Sequence, residues 1–230
     1  MPKILITNFH PNYGGGHVRY IQSLIDINKT DGYFIGVASP KNSHLYRYLA
    51  RRSYPFLYAC DFPAKIQKEL PNILKSIHNF RKIVSDFQPD IVHTNGAADL
   101  FIVIWSFPTN TPYLIVRTHH AIRYIPNSIY HRWVYNYKVK MNIYVSQSAF
   151  DLSTNGGILP INHTVITNGV DTNLFYPRDK DKDILYRYNI NDKCFCFGSC
   201  AGTNSYKRVD MIIDAAINLK KDGIRNFRIL

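Results

Sequence analysis

Apolar side chains recur along this chain in two alternating rhythms. The nearly continuous apolar run KILITN, residues 3–8, has the character of a buried strand. It leads into GHVRYIQSLIDIN, where Val18, Ile21, Leu24 and Ile25 fall at the three- and four-residue spacing of one helix face. YFIGVAS reads as a strand again. PNILKSIHNFRKIVSDF then sets Ile73, Ile77, Phe80, Val84 and Phe87 on one helical stripe, with Pro71 near its start. From there the strands DIVHT, PYLIVRT, MNIYVS and HTVIT alternate with a buried helix, AADLFIVIWSF, and with helices over NSIYHRWVYNYKV and QSAFDLST.

Strands that are apolar throughout and alternate with helices imply a parallel sheet covered on both faces. The expected class is therefore α/β, with a Rossmann-like doubly wound parallel sheet over residues 1–170. The rhythm changes after that point. NGVDTNLFYPRDKDKDILYRYNINDK is rich in Asp, Asn and Lys and reads as a surface connection with one short helix. The pattern then restarts with a strand in CFCFGSCA, a helix in KRVDMIIDAAINLKKDG stopped by Gly223, and a strand in NFRIL. Residues 171–230 are thus expected to hold a linker and the first βαβ portion of an incomplete second Rossmann-like domain.

Composition narrows the function classes. The chain has 230 residues, 46% of them apolar, enough for a sizeable core. The apolar segment ADLFIVIWSF is about half the roughly 18 residues a membrane span needs, and residues 1–20 lack the form of an export signal. Cys60, Cys194, Cys196 and Cys200 form neither a disulfide framework nor the spacing of a zinc site, which fits reduced thiols and a cytoplasmic location. Lys and Arg outnumber Asp and Glu by 28 to 16, a formal net charge of +12 that draws the protein to anionic partners. Nucleic acid, an acidic membrane face and phosphorylated small molecules all meet that description.

Candidate chemistry begins at Gly14, Gly15 and Gly16, between the first strand and its helix. Bare backbone lets a ligand approach closely, and a helix N-terminus offers unpaired N–H groups to an anion. The spacing is not that of G-x-G-x-x-G, and no acidic residue follows the second strand to hold a ribose. A nicotinamide cofactor is therefore not expected.

Several segments, in order, resemble glycosyltransferase family 4, whose members are retaining enzymes dependent on nucleotide sugars and built on the two-domain GT-B fold. They are YGGGHVRYIQSL, QPDIVHTNG, LIVRTHHAIR, IYVSQSAFDL, VITNGVDTNLFYP and GTNSYKRVDMIIDAAINL. The resemblance implies an acceptor-side domain over 1–170 and the beginning of a donor-side domain over 171–230. It implies that Gly15 and Gly16 approach the donor phosphates and that His120 lies beside the transferred sugar, flanked by Thr118 and His119. Lys207 would neutralise the leaving diphosphate, a task suited to a compact ammonium. Beyond the nucleotide-sugar donor it implies no cofactor and no metal. His93 ends a strand and is as compatible with a structural role as with a ligand-facing one. Asn95 stands where the family often has a second histidine, and no role is carried onto it.

Two features depart from the family. Ser199 stands where a phosphate-binding arginine is common, and the paired glutamates that contact the donor cannot occur in a chain whose single glutamate is Glu69. A donor pocket is accordingly expected to be only partly built by these residues. The expected acceptor is a glycan or a lipid-linked molecule. Arg47, Arg51 and Arg52 near Tyr46, Tyr48 and Tyr54, and Arg123, Arg132, Lys138 and Lys140 among Tyr124, Trp133, Tyr135 and Tyr137, fit peripheral contact with an anionic membrane. Two other classes remain open: a split or non-catalytic chain that binds acceptor or membrane, and a basic RNA-binding protein, which no RNA-binding signature supports.

Overall fold

The computed structural model of the protein describes residues 1–230 other than 12–14, 28–31, 64, 122, 156, 192 and 201–204. Gly14 and the stretch shortly before Lys207 therefore lie outside the described residues. The chain divides into two compact units, Met1–Gly169 and Val170–Leu230.

The first unit is built on one sheet. Its strands are β1 (Lys3–Thr7), β2 (Phe34–Ser39), β3 (Leu57–Ala59), β4 (Ile91–Thr94), β5 (Leu114–His119), β6 (Val139–Tyr144) and β7 (His163–Val165). They lie in the order β3-β2-β1-β4-β5-β6-β7, and every neighbouring pair is parallel. The chain starts in the middle of the sheet, winds outward through β2 and β3, then crosses to β4 and winds outward the other way. Sheets wound this way take ligands in the crevice outside the carboxyl ends of the strands where the direction of winding reverses, here β1 and β4.

Alternation along β1 shows why both faces are covered. Leu5 joins a core with Phe80, Val84, Ile102 and Val103, supplied by α3 (Ile66–Phe87) and α4 (Ala97–Ser106). Ile6 turns to the opposite face and packs with Val18, Ile21, Leu45 and Leu49, from α1 (Gly15–Ile27) and α2 (His44–Ala50). Each fully buried aliphatic side chain of this kind is worth about 1.5–3 kcal/mol of transfer free energy. The remaining helices of this unit are α5 (Ile129–Trp133) and α6 (Gln147–Thr154).

The elements differ from the sequence pattern in three places. Both α2 and β3 were absent from that pattern, being seven and three residues long. Helix α3 begins at Ile66, and its axis kinks at Glu69 (φ −129°), so that Pro71 sits early in the regular part. The helix expected over NSIYHRWVYNYKV is α5 followed by a wider π-helical turn, Val134–Lys138, which buries Val134 and Tyr135; β6 then starts at Val139.

In the second unit, α7 (Lys182–Arg187) precedes a parallel pair, β8 (Phe195–Phe197) and β9 (Phe227–Ile229), joined through α8 (Val209–Lys221). Gly223, at φ +82°, takes the left-handed conformation that ends α8. Phe195, Ile213 and Ile217 are exposed in this unit.

One close approach in the first unit bears on the crevice. A Cβ on Gly96, at the start of α4, would lie 2.1 Å from the ring of Phe9. Gly96→Ala should therefore destabilise the protein by about 1–3 kcal/mol, the usual cost of overpacking. Urea denaturation of the full chain checks this, and an unchanged midpoint would contradict the packing.

Candidate active site

Three strand ends meet at the crevice, and one buried carboxyl ties two of them together. Asp99, in the first turn of α4, is fully buried. Its Oδ2 accepts the Thr7 hydroxyl at 2.6 Å and the Asn95 backbone N–H at 2.8 Å. Burial raises the pKa of this carboxyl, while those two hydrogen bonds and nearby Arg117 act in the opposite direction. Arg117, on β5, donates through Nη1 to the Gly96 carbonyl at 3.0 Å. The ends of β1, β4 and β5 are thus joined through the first turn of α4.

His120 follows directly after β5, and its Nε2 lies 2.9 Å from Asn95 Oδ1. The Asn95 amide NH₂ donates to the Thr7 carbonyl at 3.0 Å. Its oxygen is therefore the atom facing His120, and the imidazole donates from Nε2. The other face of the site is made by α1. His10, His17, His120 and Tyr20 form a continuous row of rings, with centroid separations of 4.9, 4.4 and 4.7 Å from one ring to the next. The row places the start of α1, immediately after the glycine run, beside His120.

Of the residues singled out in the sequence, some gather here and others do not. Gly15, at φ +53°, and Gly16 open α1 and are exposed; among the described residues a Cβ on either would meet nothing within 4 Å. Helix α1 carries no acidic residue in its first turn, so its N-terminal dipole is not offset there. Thr118 is 1% exposed, and its hydroxyl lies 2.7 Å from His93 Nε2 and 3.4 Å from the Tyr20 hydroxyl. It therefore sits beneath the ring row as support. His119 points elsewhere, as adjacent strand residues do. Its Nε2 donates to Asn142 Oδ1 at 3.1 Å and its ring stacks on Tyr144 at 4.3 Å, which binds it into the β5–β6 seam. Lys207 belongs to the second unit, in the short 3₁₀ turn Ser205–Lys207.

The sequence reading gave no role to His10, His17, Tyr20, Asn95 or Asp99. For Asp99 a signal was present: a single carboxyl inside an otherwise apolar helix needs buried partners. Among the described residues no group of three or more His, Cys, Asp or Glu could hold a metal ion.

The imidazoles of the site are neutral near pH 7. Burial is the main cause throughout. It brings His93 down to about 4, and His17, with help from His10, also to about 4. His120 falls to about 3, with smaller contributions from His17, His93, Arg117 and His10. His119 falls to about 3 through burial and Arg117, partly offset by its bond to Asn142.

Comparison with known proteins adds the following. The sequence profile described as Glycosyltransferase Family 4 matches residues 14–174. No curated protein matches the sequence. Similar solved structures include HepE from Anabaena in complex with UDP and glucose, at 15% identity and TM-score 0.70, covering 100% of this chain and 69% of that one. A sucrose-phosphate synthase from Thermosynechococcus elongatus aligns at 14% identity and TM-score 0.70, covering 100% and 61%. MurG from Acinetobacter baumannii aligns at 10% identity and TM-score 0.57, covering 100% and 68%. At such identities the likeness is one of fold. The chain spans 61–69% of the length of these proteins.

His93 and His119, which are 8% and 6% exposed, make stability depend on pH. In the unfolded chain a histidine titrates near 6.5, whereas in the fold these two resist protonation until about 4 and about 3. Their contribution is complete above pH 6.5 and is lost as pH falls toward those values, at up to about 1.4 kcal/mol per pH unit for each. Urea denaturation should therefore give a stability lower by about 2–4 kcal/mol at pH 5 than at pH 7.5. A flat profile over that interval would show that these rings are not held neutral by burial.

Proposed function

Because the chain belongs to glycosyltransferase family 4, we propose that it serves the transfer of a hexose from a UDP- or GDP-sugar to a glycan or lipid-linked acceptor, with retention and without a metal. The observation that carries this reading is the position of His120. It follows β5, one strand from the switch point, with its Nε2 2.9 Å from Asn95 just after β4 and its ring packed against His17 in the first turns of α1. In this proposal Gly15 and Gly16 admit the donor phosphates to the α1 N-terminus, where no atom of the described residues comes within 4 Å of the place a Cβ would take. His120 contacts the transferred sugar, Thr118 supports the ring row, and Lys207 neutralises the departing diphosphate. His119 acts through the sheet rather than on substrate. HepE was crystallised with UDP and glucose, which favours a nucleotide-sugar donor here as well.

The acceptor side of the proposal rests on surface chemistry. Ile129 and Tyr137 are strongly exposed, Tyr124 and Tyr130 less so, and Arg123, Arg132 and Lys140 lie close to them in sequence. Such a mixture suits a protein acting at the cytoplasmic face of an anionic membrane. Among the described residues no helix is long and apolar enough to cross a membrane. A second reading is favoured by the apolar side chains that the second unit leaves exposed. In it this chain binds acceptor and requires further polypeptide to complete the donor site.

Release of nucleoside diphosphate from UDP-glucose, UDP-N-acetylglucosamine and GDP-mannose, with and without membrane lipid extract, tests both readings. Under the first reading the chain turns over one donor, with the product anomer matching that of the donor; under the second, no donor is turned over until the donor site is completed. His120→Ala should lower kcat about 100-fold or more, by analogy with loss of a group that stabilises transition-state charge, with little change in Tm. Binding of lipid extract without turnover of any donor would favour the second reading, and neither binding nor turnover would overturn both.

A further inference from the structure

We infer that Asn95 is a positioning residue that fixes His120 as the Nε2–H tautomer and so leaves its Nδ1 bare. The chemical consequence rests on the sugar-transfer reading above, whereas the tautomer itself does not depend on it.

The geometry leaves the Asn95 amide one orientation. Its NH₂ lies 3.0 Å from the Thr7 carbonyl and 3.5 Å from the His93 carbonyl, both acceptors only. The amide oxygen must then face His120, 2.9 Å away, where it can only accept. A neutral imidazole carries a single N–H, so a proton held on Nε2 leaves a lone pair on Nδ1. The Asn95 backbone is fixed in turn, since its N–H is bound by Asp99 Oδ2, which also receives the Thr7 hydroxyl. Asn95 is 2% exposed, and Thr7 and Asp99 are fully buried, so water does not compete for these bonds. Thr7 of β1, His93 of β4, Asn95 just after it and Asp99 of α4 thus decide which nitrogen of His120 is bare. A bare Nδ1 accepts a hydrogen bond from a hydroxyl, as on a sugar, and offers no donor to a phosphate oxygen. In the proposed reaction the Asn95 network therefore makes His120 a reader of hydroxyl groups.

Long-range ¹H–¹⁵N correlation spectra of the full chain labelled with ¹⁵N-histidine, recorded between about pH 6 and 8, test the inference without any substrate. The His120 signals are assigned by their loss in His120→Gln. The wild-type protein should show His120 protonated on Nε2 only. A proton on Nδ1, or averaging between the two tautomers, would overturn the inference. Asn95→Leu removes the acceptor and should yield a mixture of tautomers. An unchanged pure tautomer in a folded Asn95→Leu protein would also overturn it. Should Asn95→Leu fail to fold, the wild-type spectra still decide.

With UDP-glucose or whichever donor is turned over, Asn95→Leu should lower kcat about 10- to 100-fold with a smaller change in KM, because misplacement of a reacting group acts mainly on the bound complex. If the spectra behave as expected while no donor is turned over, the positioning role stands and the sugar-transfer reading fails.

Discussion

A carboxyl group at the switch point of a parallel sheet receives two hydrogen bonds that no neighbouring strand could supply alone. Asp99 Oδ2 takes one from the β1 side chain Thr7 and one from the backbone of Asn95, immediately after β4. Strands that pair in a sheet are held along their length by ladder bonds, but those bonds stop where the chain leaves the sheet. Beyond that edge β1 and β4 turn to different helices and would otherwise splay. The Asp99 carboxyl extends their coupling past the end of the ladder. Arg117 adds β5 by binding the Gly96 carbonyl on the same helical turn.

The position of every ring in the crevice follows from that junction. His120 is oriented by Asn95, and Asn95 is held by Asp99 and Thr7. Phe9, just after β1, packs so closely against Gly96 that the two segments cannot shift independently. Phe9 in turn lies 4.3 Å from His10, ring centre to ring centre, at the head of the row that reaches His120. A buried ionisable group is usually a liability, because its desolvation is repaid only by well-placed partners. Here the partners are the same groups that place the site, so the cost of burying Asp99 is tied to the order it creates.

Much of this was legible in the amino-acid sequence. The alternation from KILITN to HTVIT gave the doubly wound sheet, since strands covered on both faces carry apolar side chains at successive positions. His120, singled out in the sequence, packs against His17, the residue that follows Gly15 and Gly16 in the chain. What escaped did so for identifiable reasons. Helix α2 offers only Leu45 and Leu49 to the core, too few positions to establish a period, although Ser43 caps it through the Tyr46 N–H. Strand β3 is a three-residue edge strand. The π-helical turn after Trp133 depends on burying Val134 and Tyr135 together, a tertiary demand with no local signature. His119 and His120 are adjacent and identical in type, and only the pleat of β5 directs one to Asn142 and the other to Asn95. The tie between Thr7 and Asp99 joins residues 92 positions apart, which no local pattern can express.

Neutral rings in a chain of net charge +12 suit a different stage of the proposed reaction from the charge itself. Long-range positive charge gathers an anionic donor from solution. At the anomeric carbon the requirement reverses, because glycosyl transfer proceeds through a sugar with oxocarbenium character. A protonated imidazole about 4 Å from such a centre would oppose it by about 4 kcal/mol at an effective dielectric of about 20. Burial in the ring row keeps His120 uncharged well below neutral pH, and Arg117 is turned toward the Gly96 carbonyl, beneath the junction. The same desolvation that destabilises a charged histidine thus removes a repulsion from the place where positive charge would develop in the proposed transfer.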